Sequence, residues 1–327
     1  MTLDTFNKDH MPRFTGHETF HLRYGWLKKA YDAVVASDRA SDEVADNIFR
    51  DKSAIAHFGV GKNMVASIRH WAMAFGLIVP DRDKTALSGH LTTPLAEFIF
   101  NAETGVDPYL EDLGTLWLLH WRLVTESPTA ISKTTFLYAF NSFNETEVDR
   151  ERFLRTLKQL IISREWPTVA DATLQKDISN LIGTYAVRRI DKRVSVEDVI
   201  SSPLTELQLL TQAEGNSFKF NRGKKVGLSD GVFAFCLLEF WNRYSKGSTT
   251  LSFEAVCHEP YSPGRVFLLS PQELMQYIIR MEMATSGALR WVESSGSRHI
   301  SRADPKLVPK FDWVKGSMVD NTKTRAA

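Results

Sequence analysis

Lys62-Asn63-Met64-Val65-Ala66-Ser67-Ile68-Arg69-His70-Trp71-Ala72-Met73-Ala74-Phe75-Gly76 is the stretch whose reading decides the fold. Met64, Val65, Ile68, Trp71, Ala72 and Phe75 fall at helical spacing and form one apolar stripe, which predicts a helix from Lys62 to Phe75 with that stripe in the core. Gly76 suits the position just past its C-terminus. The opposite face holds Lys62, Asn63, Ala66, Ser67, Arg69, His70 and Met73. It carries two formal positive charges, no acid and small residues at its centre. A helix entering the DNA major groove needs donors for phosphates and base edges and a slim middle for close approach.

The flanks complete a module. Upstream, a short helix around Lys52 to Phe58 and the turn Gly59-Val60-Gly61 supply helix-turn-helix geometry. Downstream, Leu77-Ile78-Val79 starts a strand, Pro80 to Lys84 turns, and Thr85 to Leu91 returns as a second strand. Thr93-Pro94 reads as a cap with proline at the first helical position, opening Leu95 to Phe100. The expectation is a winged helix-turn-helix that contacts DNA through Lys62, Asn63, Ser67, Arg69 and His70, with Lys28 and Lys29 nearby. The competing reading is a winged helix used for protein contacts alone.

Further out, residues 1–13 are polar and expected to fray. Leu22 to Ala36 reads as a helix with Trp26, Leu27, Ala30 and Val34 on one face, and another is expected near Val44 to Phe49. Leu113 to Val124 reads as a buried helix, followed by amphipathic helices over Val148 to Ile162 and around Leu174 to Tyr185. Val232 to Tyr244 is helical and aromatic. Ser270-Pro271-Gln272-Glu273 has the form of a capping box ahead of a helix ending near Ala284. Leu289 to Val292 and Arg298 to Ile300 read as a hairpin, an order that suits a second winged-helix-like unit. The fold class is therefore mainly α with a minor α+β character. The expected units are a flexible N-terminus (1–13), a winged-helix domain (14–105), a helical middle domain (106–200), a C-terminal winged-helix-like domain (201–310) and a tail (311–327).

The 327 residues, 43% of them hydrophobic, suffice for two or three packed units. A net charge of +1 means that any nucleic-acid surface is a local patch rather than a property of the whole chain. No apolar run reaches the length of a membrane span, and the N-terminus does not read as a signal peptide, so a cytoplasmic location is expected. Cys236 and Cys257 read as reduced thiols rather than a disulfide framework or zinc cluster.

Two short patterns argue against themselves. His17-Glu18-Thr19-Phe20-His21 matches the His-Glu-x-x-His zinc pattern, which works only inside a helix, whereas the helical stripe here begins at Leu22. Gly59-Val60-Gly61-Lys62-Asn63 resembles the end of a phosphate-binding loop, but Ala56 stands where glycine is needed and Asn63 where Ser or Thr is needed, so no nucleotide cofactor is expected.

Longer motifs carry a resemblance. Gly16-His17-Glu18-Thr19-Phe20 with Arg23, Gly25-Trp26-Leu27 and Lys29, then Gly59 to Val65 with Ile68-Arg69, Trp71 and Phe75 to Ile78, are similar to motifs of the SspB-like family of bacterial DNA phosphorothioation nickases. Asp107 to Asp112 with Leu116 to Trp121, Glu197 to Ile200 with Pro203 to Leu207, and Ser262 to Phe267 extend the resemblance over roughly residues 13 to 300. It implies a DNA-nicking endonuclease in a system that replaces a non-bridging phosphate oxygen by sulfur. It implies double-stranded DNA as partner, together with a cysteine desulfurase, an ATPase and an ATP-pyrophosphatase-type sulfur-transfer protein. A homodimer is compatible with it. The alternative is a non-enzymatic winged-helix regulator or targeting subunit.

Nicking by metal-activated water needs carboxylates to hold a divalent ion, Mg²⁺ being the expected one, or a histidine base with cations against the phosphorane. The best local collection is His17, Glu18 and Arg23, taken as candidate catalytic residues beside Lys28 and Lys29. Their structural alternative is that Glu18 caps a helix, Arg23 pairs with an acid and both lysines are solvated. Asp107, Glu111 and Asp112 form a second acidic cluster that caps and turns explain, while Asp171, Asp177 and Asp191 have no distinguishing context in the sequence.

Overall fold

The decisive helix forms where its apolar stripe demands. In the computed structural model, which describes residues 4–39, 48–50, 54–81, 89–125, 127, 129–186, 202–294 and 297–325, α1 spans Trp26–Arg39, α2 Ala54–Phe58 and α3 Lys62–Ala74. Val65, Ile68, Trp71, Ala72 and Phe75 are buried. Gly76 lies at φ +64° and ends α3 with paired bonds, its own N–H to Met73 O (3.1 Å) and that of Leu77 to Ala72 O (2.9 Å). That is the left-handed glycine termination expected from the sequence. α1 starts four residues later than the periodicity suggests, because Gly25 at φ +76° turns the chain ahead of Trp26.

β1 (Ile78–Pro80) pairs antiparallel with β2 (His90–Thr92), Val79 opposite Leu91. The expected second strand over Thr85 to Leu91 is thus seen at its end only. Its first residues, and the helix expected near Val44 to Phe49 up to residue 47, lie outside the described residues. α4 (Pro94–Phe100) begins as read: Thr93 Oγ accepts from Ala96 N–H at 3.3 Å. The same hydroxyl donates to Gly76 O at 2.8 Å, which ties the start of α4 to the end of α3.

α5 (Leu113–Val124) is mainly apolar and is buried except at Leu113 and at Arg122, which pairs with Glu239. Its one histidine, His120, is satisfied by Tyr185 Oη at 2.7 Å and Val266 O at 2.9 Å. Against α5 pack α6 (Thr134–Asn141) and a 3-10 turn (Pro203–Leu207); α8 (Asp171–Tyr185) reaches it through Tyr185, and α7 (Arg150–Ser163) packs on α8. β3 (Glu147–Asp149), β4 (Leu210–Gln212) and β5 (Ser217–Phe220) form an antiparallel sheet in the order β3-β5-β4. It joins residues from both sides of the boundary expected at 200.

In the C-terminal part, α9 (Asp230–Tyr244), β6 (Thr250–Ser252), α10 (Phe253–His258), α11 (Pro263–Val266), α12 (Pro271–Ala284), β7 (Leu289–Ser294) and β8 (Ser297–Arg302) follow in turn. The sheet order is β6-β8-β7, all antiparallel. Ser270 caps α12 by accepting from Glu273 N–H at 3.2 Å.

Both expected loose ends are packed. The segment read as a tail forms α13 (Phe311–Arg325), which buries Val314 and Met318; Gly231 at the start of α9 lies so close to Trp313 O that no larger residue fits there. The segment read as frayed buries Phe6, whose ring meets His10 and Trp166 edge-on at 4.7 and 5.2 Å. Buried side chains from every part of the chain form one continuous core. The described residues are thus mainly α-helical with small sheets, and none of their helices is long and apolar enough to cross a membrane.

Candidate nucleic-acid interface

The face of α3 read from the sequence as solvent-facing is divided in two. One edge is open: Lys62, Asn63 and Ala66 are exposed and Arg69 is half-buried. The other edge is covered. Ser67 and His70, expected among the DNA contacts, are buried under the segment Phe14 to Phe20, which corrects that expectation. Ser67 Oγ donates to His17 O at 3.1 Å, and Trp71 Nε1 donates to Phe20 O at 3.1 Å. Gly16, at φ +106°, lies against the His70 ring; a Cβ there would sit 2.5 Å from Nδ1, so only glycine permits this approach.

Beneath that segment is a buried charge cluster. His17 Nδ1 accepts from Thr19 N–H at 3.1 Å, so its proton belongs on Nε2, which faces Asp177 Oδ1 at 3.1 Å. Lys133 Nζ reaches the same oxygen at 3.2 Å and lies over the rings of Trp71 and Phe136, 5.6 and 5.1 Å from their centres. Burial by itself would raise the Asp177 carboxyl, but Lys133 and the His17 hydrogen bond outweigh it and hold it below its ordinary value. Burial lowers the Lys133 ammonium against the pull of Asp177. Burial, reinforced by Lys133, His17 and two arginines, holds His70 well below the usual histidine range. The cluster clamps the N-terminal segment, α6 and α8 against the inner side of α3. Asp177 had no distinguishing context in the sequence because its partners are 44 and 160 residues away.

Arg23, Lys28 and Lys29 also take structural contacts. Arg23 stacks over Phe20 and Trp26, 5.5 and 5.6 Å from the ring centres. Lys28 pairs with Asp32 one turn on, and Lys29 Nζ donates to Phe58 O at 3.0 Å, closing the C-terminus of α2. Glu18 is exposed at φ +47°, followed by Thr19 at φ +69°. The His-Glu-x-x-His stretch is therefore a turn and not a helix, and the two histidines do not share a helical face.

Arg69 gives the open edge its character. Its Nε donates to His90 Nε2 at 3.0 Å, and burial together with Arg69 holds His90 down to about 4, hence neutral near pH 7. Burial and the like charges of Arg50 and Arg13 lower the Arg69 guanidinium. Arg50 and Arg13 are themselves exposed. The Arg13 backbone is pinned at the start of α6 by Thr134, through bonds of 2.8 and 3.2 Å. Arg13 and Arg50 thus stand within electrostatic reach of Arg69. Neither Arg13 nor Arg50 stood out in the sequence, since each joins the patch only through the fold.

A metal would need carboxylates that are free to turn toward it. Asp107 instead accepts the backbone N–H groups of Glu111 and Asp112 at 2.9 and 3.0 Å, Asp112 caps α5, and Asp177 is clamped by Lys133. Among the described residues no three His, Cys, Asp or Glu side chains are grouped to hold an ion. This donor set does not fit a divalent ion held by protein ligands alone.

Known structures share this architecture. The chain is similar to the protein of a "Magnesium ion-bound SspB crystal structure", with a TM-score of 0.79 and 27% identity over 95% of this chain and 88% of that one. It is similar to a second "SspB crystal structure", with a TM-score of 0.78, 28% identity and the same coverage. A search of curated proteins finds no match. Residues 14–315 match the model of a family described as "Protein of unknown function (DUF4007)". By that match and by its likeness to SspB in sequence and fold, the chain belongs to this SspB-like family, DUF4007.

Proposed function

We propose that the protein binds double-stranded DNA through α3 and acts as a DNA-nicking component of a phosphorothioation system. In this reading α2, the Gly59–Gly61 turn, α3 and the β1–β2 pair make a winged helix-turn-helix with α3 as its recognition helix. The observation that carries DNA binding is the open edge of α3: exposed Lys62 and Asn63 and half-buried Arg69, with a slim Ala66 between them and Arg13 and Arg50 within electrostatic reach of Arg69. Gathered guanidinium groups suit a phosphate backbone, because they pay in mutual repulsion what an anion returns. The assignment to phosphorothioation and nicking is supported by the likeness to SspB. The proteins that act with it are then sulfur-transfer partners: a cysteine desulfurase, an ATPase and an ATP-pyrophosphatase-type enzyme.

A Lys62→Ala/Arg69→Ala variant tests the reading. Its log–log salt slope of duplex binding is expected to drop by about two, one per cation removed, and its conversion of supercoiled plasmid to open circles in Mg²⁺ buffer is expected to fall with it. A folded double variant with the parent affinity and slope refutes the α3 interface. A parent protein that binds plasmid but never opens it leaves a non-enzymatic targeting subunit.

A further inference from the structure

Asn221-Arg222-Gly223-Lys224-Lys225-Val226-Gly227 links β5 to α9 and carries three cations, no acid and two glycines. Gly223 and Gly227 lie at φ +112° and +72°. The backbone is held from several sides. Asn221 N–H donates to Leu209 O (3.0 Å) and Gly223 N–H to Leu268 O (3.1 Å), while Val226 O accepts from Trp117 Nε1 (2.9 Å). This is a built loop rather than a loose basic stretch.

Lys225 folds back into it. Its residue is 7% exposed, and its Nζ donates to Asn221 O at 2.6 Å. An ammonium has three donors, and that carbonyl is the one hydrogen-bond acceptor it meets among the described residues. Glu273 attracts it from a distance but forms no ion pair with it there. Burial and the neighbouring Arg222 bring the Lys225 ammonium down to about 8. Arg265, in α11, is half-buried and donates to Asn144 Oδ1 (2.6 Å), Asn141 O (2.7 Å) and Phe143 O (3.4 Å), all neutral oxygens. Burial and the charge of Arg222 lower it as well. Arg222 is exposed and stands within electrostatic reach of both.

Burying a cation with neutral acceptors alone is costly, and placing a third cation beside two such groups adds repulsion. Lys225 Nζ closes the loop onto Asn221 O, but the bonds of Asn221, Gly223 and Val226 to Leu209, Leu268 and Trp117 hold the loop without a charge. An anion bound at Arg222, within electrostatic reach of both buried cations, would offset that repulsion. Gly223 has nothing within 4 Å of where a Cβ would be, which leaves its backbone open to close approach.

We infer that the Asn221–Gly227 loop, with Arg222, Lys225 and Arg265, is a phosphate-binding site distinct from α3. The chemistry recognised is the phosphate oxyanion, supplied by a nucleic-acid backbone or by the polyphosphate of a free nucleotide. The inference does not rest on the α3 reading.

Two probes separate the sources: a 20-base-pair duplex read by fluorescence anisotropy across a salt series, and inorganic tripolyphosphate read by thermal melting. Both are applied to the full chain, to Arg222→Gln and to Lys225→Met. If DNA is the source, each variant lowers the duplex salt slope by about one. If a polyphosphate is the source, tripolyphosphate raises the melting temperature of the parent but not of the variants. Either result supports the site, and both together mean that it accepts either ligand. Lys225→Met by itself is expected to melt at or above the parent temperature, because a buried charge without a counter-ion is gone. Parent-like response of both variants to both probes overturns the inference. Should Lys225→Met fail to fold, Arg222→Gln, at an exposed position, decides alone. Repeating the duplex series in the Lys62→Ala/Arg69→Ala background keeps the two sites apart: a further slope loss there belongs to this loop, whatever becomes of the α3 interface.

Discussion

Lys133→Met removes one partner of the buried cluster that fixes the inner side of α3. Asp177 and Lys133 are both fully enclosed and share a contact of 3.2 Å. Without the ammonium, Asp177 keeps the His17 contact but loses the Lys133 charge. Breaking a buried pair from one side costs roughly 3–5 kcal/mol, because the remaining charge has lost its ion-pair partner and gains no water in exchange. For a chain of this length the unfolding entropy is large, so that loss corresponds to a fall of about 4–7 °C in Tm for cooperative unfolding. The pH dependence has a definite sign. In the parent, Asp177 is held below its ordinary value and stays ionised at pH 4.5. In the variant, burial acts unopposed by Lys133 and raises the carboxyl, so the deficit relative to the parent should be larger at pH 7 than at pH 4.5. Adding Asp177→Asn removes the stranded charge, and the double variant should recover more than half of the loss, measured as a double-mutant cycle by urea unfolding. A Lys133→Met protein that melts within a degree of the parent at pH 7, or a double variant no more stable than the single one, would refute this account of the cluster.

Three further outcomes follow from the same core. Trp71→Ala should cost about 3–5 kcal/mol, since a fully buried indole and its bond to Phe20 O are lost; an unchanged urea midpoint would contradict it. Gly16→Ala should cost roughly 1–3 kcal/mol by combining a left-handed backbone with a Cβ driven into His70, and circular-dichroism melts that overlay those of the parent would exclude that packing. His90 is held to about 4 and His120 to about 3, both below the value of an unfolded histidine, so the unfolded chain binds more protons between those values and about 6.5. Stability should therefore rise with pH across that window and fall on acidification, with a shallower slope in His90→Gln; a urea midpoint that stays constant from pH 7 to pH 5 would rule this out.

The amino-acid sequence by itself determined the local elements. The Met64–Phe75 stripe, the left-handed termination at Gly76, the caps at Thr93 and Ser270, the mainly apolar helix at Leu113 and the hairpin after Leu289 are each written in a few adjacent residues, because helical period, capping and turn chemistry act over one or two turns. The open edge of α3, with Lys62, Asn63 and Arg69, was legible for the same reason. The tertiary structure alone decided which half of the polar face stayed open. Ser67 and His70 look like solvent residues in one helix, yet they are buried because Gly16 lets a segment some fifty residues earlier lie on them. Likewise Phe6 and Val314 lie in polar segments that read as loose ends, and only partners far along the chain bury them. His17 and Asp177 show the same limit most sharply. A histidine in a motif looked catalytic and an aspartate in an ordinary helix looked idle; at 3.1 Å inside the core they form, with Lys133, one buried cluster. Electrostatic partnership in a low-dielectric interior depends on distance in space, and distance in space between residues 160 positions apart is set by the packing of the whole chain.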